Sequence, residues 1–197
     1  MRRQKILFAS LLLALYAASG PTRAAESSYT DFNTKKCRHM PGKEVEDYGE
    51  WRCTGFKGIP VYMRAGDQRI YVSYGKNAMD ELAASQTLAS FNGEGNRIEW
   101  RLEKGKPFAT IMRWSTARAD EKGDPMRGST LVVTRLGAGG VCHIGYVDGR
   151  ANKNANELAR KIADESARSF VCGKDKPIML GRQGPSFSGP YDADERK

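Results

Sequence analysis

Few side chains in this sequence combine the reactivity and the spacing that chemistry needs. There are two histidines, His39 and His143, and four cysteines, Cys37, Cys53, Cys142 and Cys172. Cys142 and His143 are adjacent, but neighbours on a strand point to opposite faces, so they cannot act on each other as nucleophile and base. A zinc site needs three or four ligands, commonly with close cysteine or histidine spacing, and no C-x2-C occurs here; no metal and no cofactor are expected. The acid pairs Asp80-Glu81, Asp120-Glu121 and Asp164-Glu165 sit in loops or on a polar helix face, where carboxylates are solvated. Glu99, beside Trp100 in a strand-like run, is the carboxylate that could serve a cell-wall hydrolase, whose chemistry needs two carboxyls ~5–10 Å apart.

The most informative constellation is Tyr62, Arg64, Arg69 and Tyr71. Alternation along two strands places all four on one face of a hairpin, where flat rings and guanidinium donors offer a surface for an anion or a sugar polymer. The partner of such a face is an anionic envelope polymer, a phosphate-bearing lipid headgroup or an acidic protein. Two other strings carry less. Ser73-Tyr74-Gly75-Lys76 matches the S-x-x-K of penicillin-recognising serine enzymes, but their S-D-N and K-T-G are missing and Ser73 ends a strand rather than starting a helix. Gly137-Ala138-Gly139-Gly140 is followed by a strand, which suits a hairpin loop better than a phosphate cradle at a helix N-terminus.

Three hairpins are expected to position these residues. The first joins 59–64 to 69–74 through Ala65-Gly66-Asp67-Gln68; a symmetric closure sets Arg64 opposite Arg69 and Tyr62 opposite Tyr71. The second joins 97–102 to 107–114 around Lys104-Gly105, with Ile98, Trp100 and Leu102 sharing a face with Ala109 and Ile111. The third joins 129–136 to 141–147, grouping Leu131, Val133, Cys142, Ile144 and Tyr146, with His143 on the other face. Asp124-Pro125 and Gly128 mark the loop between the last two. From 154 to 170 the period changes to that of a helix, with Ala155, Leu158, Ala159, Ile162, Ala163 and Phe170 on one stripe and Asn152 or Asn154 as its cap. A weaker helix is expected over 79–91.

The strand at 142–147 runs ~17 Å, and ~16 helical residues return ~24 Å after the turn at Asp148-Gly149. That brings Cys172 back near Cys142, leaving Cys37 to pair with Cys53. The fold class is therefore α+β: an antiparallel sheet of about six strands, three hairpins, with one C-terminal helix packed on a face and two disulfides.

Residues 1–24 have the build of a signal peptide: a basic start, the apolar run 6–18, and Thr22-Arg23-Ala24 before a cut. The run is too short to span a bilayer, so the protein is expected in the periplasm or secreted, where four cysteines form bridges. The leader carries four basic residues and no acid, so its removal leaves 28 basic against 23 acidic residues and lowers the net charge from +9 to +5. This mild, interspersed excess excludes nucleic acid as the partner. Residues 25–58 read as a loop-rich segment, 59–180 as the α+β core, and 181–197, with three Gly and two Pro, as a flexible tail.

A disulfide-stapled, β-rich exported chain with the run Trp51-Arg52-Cys53 resembles the small periplasmic inhibitors of C-type lysozymes. That resemblance implies a Ser-Gly motif on a sheet-edge loop that enters the lysozyme cleft; beyond the leader this sequence has Ser188-Gly189 only in its tail, and the C-terminal helix departs from the family's barrel. The function expected from the residues themselves is non-enzymatic binding of an anionic or polymeric envelope partner through the Tyr/Arg face.

Overall fold

The computed structural model describes residues 25–41 and 48–191; the expected leader lies outside the described residues. In chain order the strands are β1 (Glu26–Asp31), β2 (Arg38–Pro41), β3 (Gly49–Thr54), β4 (Pro60–Gly66), β5 (Arg69–Tyr74), β6 (Phe91–Gly93), β7 (Arg97–Glu103), β8 (Lys106–Ala119), β9 (Pro125–Arg135), β10 (Cys142–Asp148) and β11 (Ile178–Met179). One α-helix, α1 (Ala155–Ser166), stands between β10 and β11.

The strands form two sheets rather than the single six-stranded sheet expected. Seven strands make one, in the order β1-β7-β8-β9-β10-β11 with β6 paired to β8; β2-β3-β4-β5 make the other. The reason lies in the alternation along β7–β10, which is apolar on both faces. Ile98, Trp100, Met112, Trp114 and Val132 look one way; Ala109, Ile111, Leu131, Val133 and Ile144 look the other. A sheet with two apolar faces needs two covers. The four-stranded sheet is one, through Val61, Met63, Ile70 and Val72. Helix α1 is the other, burying Ala155, Ala159, Ile162 and Ala163. Ala109 and Ile111 thus lie under the helix, opposite the face that holds Ile98 and Trp100, contrary to the expected grouping.

The first hairpin closes more tightly than expected. Asp67 and Gln68 both take left-handed φ values of 51° and 53°, the two-residue turn whose twist suits flanking strands. β4 takes in Ala65 and Gly66 while β5 still begins at Arg69, so Arg64 pairs with Tyr71 and Tyr62 with Ser73, not Arg64 with Arg69. The second expected turn, Lys104-Gly105, forms with φ values of 50° and 73°. In the third hairpin a bulge between His143 and Gly145 turns Tyr146 to the face of Val132 and His143, away from Cys142 and Ile144.

Three further differences have local causes. Residues 25–58, expected as loops, hold β1 and β2 at sheet edges and β3 between β2 and β4, because a polar alternating strand is held when one of its faces is covered. The helix expected over 79–91 is a single 3-10 turn at Leu82–Ser85. The segment is tied to its neighbours instead: Ala83 N–H donates to the Val141 carbonyl, and the Thr87 hydroxyl to the Ile70 carbonyl of β5. The stretch 115–128, expected to lie between two hairpins, continues β8 and β9 as one long hairpin closed at Asp120, whose side chain accepts from Lys122 and Asp124 N–H groups.

Both disulfides pair as expected, Cys37 with Cys53 and Cys142 with Cys172, at Cα separations of 4.6 Å and 5.8 Å. Asn154 stands at the helix start without a side-chain cap bond, while the Asn152 amide ties the carbonyls of Asp148 and Arg182. Residues 181–191 lie against the large sheet: Ser188 is buried, its carbonyl accepts from the Thr130 hydroxyl, and its own hydroxyl accepts from Ser90 N–H. Gly128 permits this approach, since a Cβ there would lie 2.2 Å from the Ser186 carbonyl oxygen. Ser188-Gly189 is accordingly no protruding sheet-edge loop.

Candidate functional site

The four residues of the Tyr/Arg face part company in space. The segment 78–84 covers one end: Tyr62 is buried against Ala78 and Ala84, and burial, with Glu50 nearby, pushes its phenol up to about 12. Arg64 stacks 3.8 Å over the Tyr71 ring and donates from Nε to the Ala84 carbonyl at 3.0 Å. These three side chains are engaged in attaching 78–84 to the small sheet. Arg69, at the hairpin tip, leaves that cover and enters a different surface.

That surface is an open groove of about 830 Å³, walled by the β4–β5 tip, β6 and the outer halves of β8 and β9. Its volume falls within the range of ligand sites, ~300–1,000 Å³. Arg69, Arg118 and Arg127 line it, with Glu94 as the carboxylate and Phe91 as the ring, 42% exposed. The Arg69 guanidinium lies between the rings of Phe91 and Tyr191, 5.4 Å and 5.3 Å from their centroids. It donates to Asp67 at 2.5 Å and to the Ala89 carbonyl at 3.1 Å, while its Nε–H, enclosed, has no partner. Thr116 Oγ1, on the same wall, is likewise buried and unpartnered. Arg118 donates to the Pro185 carbonyl, and the Arg127 side chain has no ion pair among the described residues. Three arginines in the lining and an exposed ring, set against Glu94 and the Asp67 already paired to Arg69, suit an anionic group attached to a flat apolar surface.

Sequence reasoning missed Arg118, Arg127, Phe91 and Glu94 because they come from three separate segments. The usable signal was the alternation of 114–119, Trp-Ser-Thr-Ala-Arg-Ala, which carries β8 beyond Trp114 and delivers Arg118 to the strand end.

The other candidates are committed to the fold. Both Glu99 oxygens are engaged under α1: Oε1 accepts from Ser27 at 2.5 Å and from Arg160 at 2.6 Å, and Oε2 from Arg160 at 3.3 Å. Arg101 completes the network with a two-pronged bond to Asp164 at 2.9 Å and 2.7 Å. The network ties β1, β7 and α1 together and raises the Arg160 pKa through its Glu99 bond. Asp148, also buried, accepts from three backbone N–H groups, those of Arg150, Ala151 and Gly184. Ser73 is buried on β5, and Lys76 is exposed beyond it. Among the described residues no cluster of three or more His, Cys, Asp or Glu side chains could hold a metal.

His143 sits between the sheets, its Nδ1 3.0 Å from the Tyr146 hydroxyl and its ring edge-on to Trp114. Burial lowers its pKa from 6.5 to about 3, so the folded imidazole stays neutral where the unfolded one takes a proton. Below pH ~6.5 the unfolded chain binds the extra proton, and stability falls by about 1.4 kcal/mol per pH unit until pH approaches 3. Denaturant titrations from pH 7 to pH 4.5 should show this loss, and His143→Gln should remove one proton's worth of the slope. An unchanged slope would place His143 in contact with solvent.

No protein-family model matches the chain, and no curated protein or solved structure matches it. Among the described residues no helix is long and apolar enough to cross a membrane.

Proposed function

We propose that this chain is an exported, non-enzymatic binding protein that holds an anionic envelope partner in the Arg69–Arg118–Arg127 groove. The observation that carries the reading is an open groove with Arg69, Arg118 and Arg127 in its lining, of which Arg69 alone is ion-paired, to Asp67, among the described residues. Two disulfides support an oxidising compartment, since such bridges persist in the periplasm and outside the cell. The binding surface expected at Tyr62, Arg64, Arg69 and Tyr71 moves to its Arg69 end, where the groove is open.

Calorimetric titration with polygalacturonate, which carries one carboxylate per sugar ring, tests the reading. Arg127→Glu replaces an unpaired, exposed cation by an anion and should weaken binding at least tenfold; added salt should weaken the wild type in the same direction. Equal affinity of wild type and variant would overturn the assignment of the groove.

A further inference from the structure

We infer that the partner is an extended acidic saccharide, which runs from the arginine groove past Glu94 into a second groove lined by Lys35 and Lys36. This rests on the proposed function and specifies its ligand. The second groove, about 550 Å³, is bounded by 31–36 and 94–96, and Glu94 is a wall of both. Their linkage is built into the backbone. β6 carries the chain from Phe91 to Gly93 along the edge of β8, and the Asn96 carbonyl then accepts from Phe32 N–H, beside the loop that holds the two lysines. Phe91 and Glu94 are three residues apart, ~10 Å along extended chain. A compact anion therefore reaches only one groove, whereas a linear polymer reaches both.

The order of groups fits a sugar polymer better than a bare polyanion. Cations stand at the two ends, with Asp67 paired to Arg69 at one and Asp31 beside the lysines at the other, and the middle offers the Phe91 ring and the Glu94 carboxylate. A polyphosphate would meet repulsion where its path passes Glu94, with no favourable contact there to offset it. A uronic-acid chain can lay a ring face on Phe91 and donate hydroxyls to Glu94, with its carboxylates at the arginines and lysines. The enclosed, unpartnered Arg69 Nε–H and Thr116 hydroxyl mark the same wall as short of acceptors and donors.

Oligogalacturonides of increasing length provide the test. Lys35→Glu/Lys36→Glu should weaken the dodecasaccharide at least tenfold and the disaccharide less than twofold; Arg127→Glu should weaken both. Phe91→Ala should weaken the oligosaccharides but not long-chain polyphosphate. The lysines are exposed and outside the core, and Lys35→Gln/Lys36→Gln, which removes charge without reversing it, should give the same pattern at smaller amplitude. If the lysine variants leave the dodecasaccharide unaffected while Arg127→Glu still weakens the disaccharide, the two-groove path is overturned and the arginine groove stands. If polyphosphate binds as tightly as the dodecasaccharide and Phe91→Ala affects both alike, the saccharide assignment is overturned. If Arg127→Glu changes nothing, both readings fall.

Discussion

Trp100→Ala should lower the unfolding free energy by about 3–5 kcal/mol, the range for emptying a buried large aromatic site. Trp100 is fully buried between the two sheets, edge-on to Tyr74 at 5.6 Å and tilted against Phe56 at 6.2 Å. Its indole N–H donates to Thr30 of β1 at 2.8 Å, so the substitution also leaves that hydroxyl without its donor. The ring lies on bare backbone at Gly55, where a Cβ would come 2.4 Å from it. No side chain there can swing in to fill the space, and the cavity persists. For a domain held by ~5–15 kcal/mol the loss is a large fraction of the total. Urea titration measures it, with Phe91→Ala, on the exposed groove, as the reference expected within ~0.5 kcal/mol of wild type. A loss below 1 kcal/mol for Trp100→Ala would mean that the sheets do not close on this ring.

Removing the Cys142–Cys172 bridge as a double Ala variant should cost about 2–5 kcal/mol, more than removing Cys37–Cys53. Chain entropy supplies part of the difference: sequence separations of 30 and 16 residues correspond to ~3.6 and ~3.1 kcal/mol. Packing supplies the rest. Cys142 is wholly buried beneath α1, and its bridge fixes the chain that leaves the helix. Buried Arg135 depends on that fixation: Nε donates to the Ala167 carbonyl at the helix end, and Nη1 to the Gly140 carbonyl beside Cys172. A cation there also suits the negative end of the helix dipole. Besides the lower midpoint, amide exchange across 155–170 should accelerate in the 142/172 variant and stay unchanged in the 37/53 variant. Equal losses for the two bridges would remove the special role of the helix-side one.

The second of these effects lies in the part of the fold that the sequence made plain, whereas the first depends on a second sheet that it did not. The stripe Ala155, Ala159, Ile162, Ala163 needs only local periodicity, and the return path of the helix places Cys172 without knowledge of the sheet. The Lys104-Gly105 turn is equally local. The split into two sheets was not local: it follows from apolar side chains on both faces of β7–β10, a pattern that says two covers are needed without saying which strands supply one. The hairpin register escaped because Asp67 and Gln68 adopt left-handed backbone that neither residue announces as glycine would. The bulge that carries Tyr146 to His143 depends on one unpaired residue, Ile144. Of the candidate site, Arg69 was legible through strand alternation, whereas Arg118, Arg127 and Glu94 became neighbours only once β6 paired with β8.

The most direct measurement of the central claim is the map of amide chemical-shift changes when the oligogalacturonide dodecasaccharide is added. Binding in the arginine groove predicts changes concentrated at 66–70, 91–94, 115–118 and 125–128, the path into the second groove adds 31–36 and 94–96, and 155–166 stay unmoved. Changes centred on 62–64 and 78–85, or on the helix face, would contradict it.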